Sequence, residues 1–156
     1  MDIDVVIEAP GWQDLESWAQ AACPAALRAA GVLPDGVAVV ILGGSDARIS
    51  ALNAEFRGKP VPTNVLSWPS REMPRPAPGN PPKLVRGDLG DLALAIETCK
   101  REAADAGKPL AHHVCHLLVH GTLHLLGFDH ETDTDAAQME TIETAALATL
   151  GVPDPY

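Results

Sequence analysis

Residues 37–56 read VAVVILGGSDARISALNAEF. The run Val37 to Leu42 is a short apolar block of the kind found in buried strands. Gly43-Gly44 should turn the chain. Ser45 is a good helix N-cap, and Ile49, Leu52 and Phe56 then recur at helical spacing, so a helix is expected over about 46–56. The rest of the chain continues this alternation. Upstream, residues 2–8 (DIDVVIE) partly alternate and suggest a first strand. Residues 13–30 are Ala-rich with apolar positions at helical spacing, and Pro24 should kink or split that helix. Downstream, Val65 to Trp68 read as a strand whose neighbours Pro62 and Pro69 favour a sheet edge. Residues 69–87 hold six prolines and read as a long surface loop. Leu89 to Ile96 read as a fourth strand, and Glu97 to Ala106 as a helix ended by Gly107 and Pro109. A long helix follows over about 110–126, stopped by Gly127. Thr132 or Thr134 then caps a last helix over about 135–150. The expectation is α/β: one domain over residues 1–156, with a small mixed four-stranded sheet packed with about five helices.

A chain of 156 residues is long enough for a real core, and 46% apolar with 21% charged residues excludes disorder of the whole. The start, MDIDVVIE, has neither the positive charge nor the apolar run of a secretory signal. No stretch approaches the roughly 18 apolar residues of a membrane span, so a cytoplasmic protein without membrane contact is expected. Cys23, Cys99 and Cys115 are odd in number and form no C-x-x-C, which suggests reduced, buried thiols.

The net charge of −10 argues at first against a nucleic-acid partner. Its distribution matters more. Nine of the eleven Lys and Arg residues fall between 57 and 108, whereas residues 109–156 carry seven acidic and no basic side chains. The middle third either solubilises loops or forms a local basic rim for an anionic ligand.

All six histidines lie between 112 and 130, and three of them form H-x-x-x-H-x-x-G-x-x-H: His120, His124 and His130. Residues four apart on a helix differ by only about 40° around the axis and about 6 Å along it, so two imidazoles so placed can reach one ion. A third ligand has to come back from another direction. Gly127 supplies the break, and the turn through Phe128 and Asp129 can return His130 to the metal. Three neutral nitrogens suit one Zn2+ per chain and leave a fourth position open, as in catalytic sites. His116, one turn before His120, is a candidate to line the cleft, as is Lys59. Asp129 could accept a hydrogen bond from a ligand imidazole and fix its tautomer.

The same spacing occurs in metzincin proteases, which carry a general-base glutamate directly after the first histidine. Here that position is Gly121, which discounts peptide hydrolysis. Zinc can still polarise a phosphoryl oxygen and acidify bound water. Phosphodiester cleavage would also want a fixed cation, and Arg57, which matches phosphate oxygens bidentately, is the best candidate.

HGTLHLLGFDH (residues 120–130), FRGKPVPTNVLSWP (56–69) and GDLGDLAL (87–94) together resemble the YbeY family of bacterial endoribonucleases. The tail, with Met139, Glu143 and LGVPDPY, also fits, so the similarity spans about residues 45–156, with the first 44 fitting in layout only. The resemblance implies a metal-dependent RNase acting on single-stranded RNA, with roles in small-subunit (16S) ribosomal RNA maturation and ribosome quality control. The small ribosomal subunit and its assembly factors would be partners. His120, His124 and His130 match the family's zinc ligands, and Arg57 its functional arginine. Trp68 stands where phenylalanine is usual and Phe128 where tyrosine is usual. Two other readings compete: a non-catalytic ribosome-assembly factor with a structural metal, and a metalloprotease. The attacking nucleophile, zinc-bound water or the RNA's own 2′-hydroxyl, stays open.

Overall fold

Strands and helices follow one another in the order read from the sequence: β1 (Asp2–Ile7), α1 (Leu15–Ala29), β2 (Val37–Gly44), α2 (Asp46–Arg57), β3 (Val65–Pro69), β4 (Gly87–Ala95), α3 (Ile96–Asp105), α4 (Leu110–Leu125) and α5 (Asp133–Thr149). The computed structural model describes residues 1–77, 80–82 and 85–156. The Pro-rich connection expected over 69–87 lies between β3 and β4; its residues 78, 79, 83 and 84 are outside the described ones.

The four strands form one mixed sheet in the order β1-β2-β4-β3. β1, β2 and β4 are mutually parallel, and β3 pairs antiparallel with β4 at the edge. The edge position agrees with the prolines around β3. Between Ala38 and Val39 the β2–β4 register slips by one residue, so Leu89 is extra on β4. Gly90 follows at φ +139°, where a Cβ would stand 2.2 Å from the Trp68 carbonyl oxygen. Only glycine lets β3 and β4 close at this bulge.

The expected turn at Gly43-Gly44 is not there: both residues belong to β2. The reason is packing. A Cβ on Gly43 would meet Trp12 and Leu15 at 2.8 Å, and Trp12 Nε1 donates to the Gly44 carbonyl at 3.0 Å. The glycines let the buried indole lie against the strand. Pro24 neither splits nor ends α1, which runs through it. Ser45 caps α2 by accepting from the Arg48 amide, and Thr132, not Thr134, caps α5 by accepting from Asp135.

The main core lies between one face of the sheet and helices α1, α4 and α5. α4 is its centre: Val114, Leu117, Leu118, Val119, Leu123 and Leu125 are all buried. Each such side chain contributes about 1.5–3 kcal/mol on burial, so α4 is held in place along its whole length. A smaller cluster of Ile49, Leu66, Ala93 and Ala95 packs α2 against the other face. Cys23, Cys99 and Cys115 are free and buried, and burial pushes their thiols up to about 12, 12 and 11. They are inert core residues.

Candidate metal centre

With so many aliphatic side chains buried, α4 has one polar stripe left. His113, His116, His120 and His124 follow it at intervals of three and four residues. The helix stops at Leu125. Gly127 takes φ +99°, the Phe128 amide bonds back to the Leu123 carbonyl, and the chain reverses. A Cβ on Gly127 would press on the Pro74 carbonyl oxygen at 2.8 Å, so both the turn and the crowding demand glycine. The reversal brings His130 to the two helical imidazoles. Its ring centroid lies 5.6 Å from that of His120 and 5.2 Å from that of His124. One nitrogen from each of the three rings falls within 4.8 Å of the others.

The hydrogen bonds decide what those nitrogens present. His124 Nδ1 lies 3.0 Å from the Phe128 carbonyl oxygen, which can only accept, so Nδ1 carries the proton. His120 Nδ1 lies 2.5 Å from Glu143 Oε1. Burial would push the Glu143 carboxyl up, but hydrogen bonds from His116, His120 and Tyr156 outweigh it and hold it down to about 2. It is therefore a carboxylate, and His120 Nδ1 donates. Burial, then the neighbouring His120, push the His124 imidazole down to about 4, so it is neutral. With Nδ1 committed to an acceptor on both rings, Nε2 is the position each ring leaves for another partner. Those two Nε2 atoms face each other 2.9 Å apart. At this distance the two nitrogens must share a proton or a metal ion. The spacing approaches the roughly 3.3 Å between two corners of a zinc tetrahedron with bonds of about 2.05 Å. The donor set therefore fits a metal: three nitrogens, two with tautomers already set, and His130 exposed on the open side.

Asp129 makes other bonds. Its Oδ1 accepts from the His130 backbone amide, and its carboxylate lies 3.7 Å from Arg75. The imidazole partners are Glu143 and the Phe128 carbonyl. The sequence marks Glu143 only as part of the family-like tail; its place at the site is not legible there, because its proximity to His120 depends on α5 folding back beside α4. The one signal was a lone acid at the buried i, i+4 position after Met139. The aromatic change at Phe128 touches none of this, since His124 uses the backbone of that residue and the ring is buried.

Arg57 comes from the end of α2. Its Nη2 donates to the Ser67 carbonyl at 3.1 Å, which steers the guanidinium across β3 towards the histidines. A cavity of about 580 Å³ lies on one side, bounded by Arg57, Arg75, His124 and His130, and one of about 380 Å³ on the other, bounded by Arg57, Asn64, His120 and Tyr156. Arg57, Ser67, His124 and His130 border both. The two are halves of one groove that crosses the three histidines, each within the range of about 300–1,000 Å³ usual for ligand clefts. His116 lines the second half. Lys59 does not line either half. Gly58 ends α2 at φ +68°, the Lys59 amide bonds back to Asn53, and the Lys59 side chain is exposed. Arg75 is engaged by Glu131 at 2.9 Å and Asp135 at 2.8 Å, so much of its charge is matched by the acidic third of the chain.

Gly121 faces the sheet, not the groove. A Cβ there would meet Leu92 Cδ2 at 2.8 Å. A protease-type glutamate at this position would be driven into the core.

Comparison with known proteins agrees with the geometry. A family model described as endoribonuclease YbeY matches residues 7–151. The chain is 59% identical over 160 residues to the endoribonuclease YbeY of Jannaschia sp. (strain CCS1), covering all of both chains. It is 54% identical to that of Dinoroseobacter shibae, covering 99% of this chain and 90% of the other. A solution structure of a Thermotoga maritima protein matches with a TM-score of 0.60 at 21% identity, over 96% of this chain and 91% of that one, which supports the fold. The similarity thus extends well into the first 44 residues, where the sequence alone showed agreement in layout only.

Proposed function

Since the chain belongs to the YbeY endoribonuclease family, we propose that it is a metal-dependent endoribonuclease that cuts single-stranded RNA in the groove across His120, His124 and His130. The observation that carries this reading is the groove itself. It is open on both sides of the three histidines. A strand can therefore continue in both directions from the bond to be cut, as internal cleavage requires.

His120, His124 and His130 would hold the ion, and three imidazole nitrogens with an open side favour zinc. When bound, zinc supplies Lewis acidity towards a phosphoryl oxygen and lowers the pKa of water. The protein's own groups do the rest. Arg57, anchored on the Ser67 carbonyl, offers guanidinium N–H groups to the phosphate and to the charge that grows on it during cleavage. The buried wall of α4 beneath the histidines fixes their positions before RNA arrives, so no reorganisation is needed during the reaction. The groove's second half is lined by His116 and Asn64, polar groups held in place by bonds within the protein.

By family, the RNA is ribosomal: maturation of small-subunit RNA, with the small subunit and assembly factors as partners. Three free, buried cysteines suit the reducing cytoplasm, where that work takes place.

The test uses protein of measured zinc content on single-stranded and duplex RNA. Cleavage of the single strand that disappears in His124→Ala together with the zinc supports the reading. Equal cleavage by wild type and His124→Ala overturns it. Mapping the product ends identifies the nucleophile, because a cyclic phosphate means that the RNA's 2′-hydroxyl attacked.

A further inference from the structure

Glu143 is fully buried on α5, in a stripe otherwise made of Met139, Ala146 and Leu147. A carboxylate in such a place needs every oxygen lone pair met by donors. Three donors converge on it. His120 Nδ1 reaches Oε1 at 2.5 Å, His116 Nε2 reaches Oε2 at 2.8 Å, and the Tyr156 hydroxyl donates to Oε2. The trio His116, His120 and Glu143 has ligand-type atoms close enough for an ion of its own. Direct hydrogen-bond contact between the oxygens and both ring nitrogens leaves no space for one. The arrangement is a carboxylate clamped between two imidazoles.

We propose that Glu143 is the positioning residue of the metal centre and that Tyr156 is the latch that holds it. Glu143 keeps the proton of His120 on Nδ1 and thereby turns Nε2 towards the ion. His116 and Tyr156 in turn fix the rotamer of Glu143. The Tyr156 ring lies edge-on to His116, with centroids 5.6 Å apart, and its backbone amide donates to the Asp154 carboxylate two residues before it. Val152 packs on the core at the root of the same segment. Docking of residues 152–156 and formation of the metal centre are therefore coupled, although none of these residues is among the three histidines that would hold the ion. The inference rests on the metal reading given above, and its test separates the two.

Zinc alone is the probe, with affinity read by chelator competition and geometry by the visible spectrum of the cobalt-substituted chain. Long-range proton–nitrogen NMR of the metal-free wild type should show the His120 proton on Nδ1. Glu143→Gln keeps the volume but offers an amide that can donate or accept, so the tautomer should become mixed. Its zinc affinity should fall about 10- to 100-fold, with an altered cobalt spectrum. Tyr156→Phe keeps the exposed ring and removes the latch, and should weaken zinc several-fold without unfolding the chain. His124→Ala should abolish zinc binding. A wild-type chain that takes up no zinc overturns the metal reading, and this inference with it. Loss of zinc in His124→Ala, with wild-type affinity in both Glu143→Gln and Tyr156→Phe, overturns the positioning role alone. A His120 proton on Nε2 in the wild type does the same, even where Glu143→Gln fails to fold.

Discussion

Arg57 and the three histidines divide the work at the scale of single residues. In the proposed site the histidines would set where an ion sits, whereas Arg57 approaches from a different element and is held by a carbonyl, not by a ligand. Removing it should leave the ion in place. Arg57→Ala is expected to retain wild-type zinc content and to lose RNA cleavage by about 100-fold or more, the usual consequence of deleting a preorganised donor to a developing charge. Zinc analysis beside a single-turnover assay checks both halves, and loss of zinc would make Arg57 structural. Lys59 is the contrast. Its side chain is exposed and lines neither half of the groove, so Lys59→Ala should change cleavage less than threefold in the same assay.

At the scale of elements, the site depends on how α4 ends. Gly127→Ala places a Cβ at φ +99° and 2.8 Å from the Pro74 carbonyl oxygen. We expect about 1–3 kcal/mol of lost stability from the backbone strain, read from urea denaturation. Zinc affinity should weaken as well, because the turn that returns His130 has to move. Gly90→Ala should cost more, about 3 kcal/mol or above, since the clash is with backbone at 2.2 Å and β3 cannot retreat without breaking its ladder to β4. β3 also carries Ser67, the anchor of Arg57, so this fold-level change should reach activity too. Equal melting of Gly90→Ala and wild type would show that the bulge is softer than its geometry implies.

At the scale of the whole molecule, the ion would tie α4 to the loop beyond it. Zinc held by the folded chain alone would, at 100 times its Kd, add about 2.7 kcal/mol of stability. Chelation should accordingly lower the thermal midpoint of wild type but leave that of His124→Ala unchanged, as calorimetry can show. The charge distribution bears on RNA. The chain is strongly acidic overall, yet the groove presents Arg57 beside the imidazoles, and Arg75 is matched by Glu131 and Asp135. Few phosphate contacts follow, so RNA affinity should fall with added salt, with a shallow log–log slope of about −1 to −2. A slope near zero would remove phosphate recognition from the mechanism, and a steep one would mean that other cations reach the strand.

Local chemistry was enough to read the order of strands and helices, the edge position of β3, the cap at Ser45, a cap at Thr132 or Thr134, and the grouping of His120, His124 and His130. Apolar periodicity, proline, glycine and helical spacing all act over a few residues, and a linear text carries such information. Gly43 and Gly44 were misread as a turn because the cause of their presence, the indole of Trp12, arrives from 31 residues away. Glu143 and Tyr156 stand beside His120 and His116 only because α5 and the segment after it pack back along α4. Long-range packing brings these groups together, and no spacing along the chain encodes the distance between them.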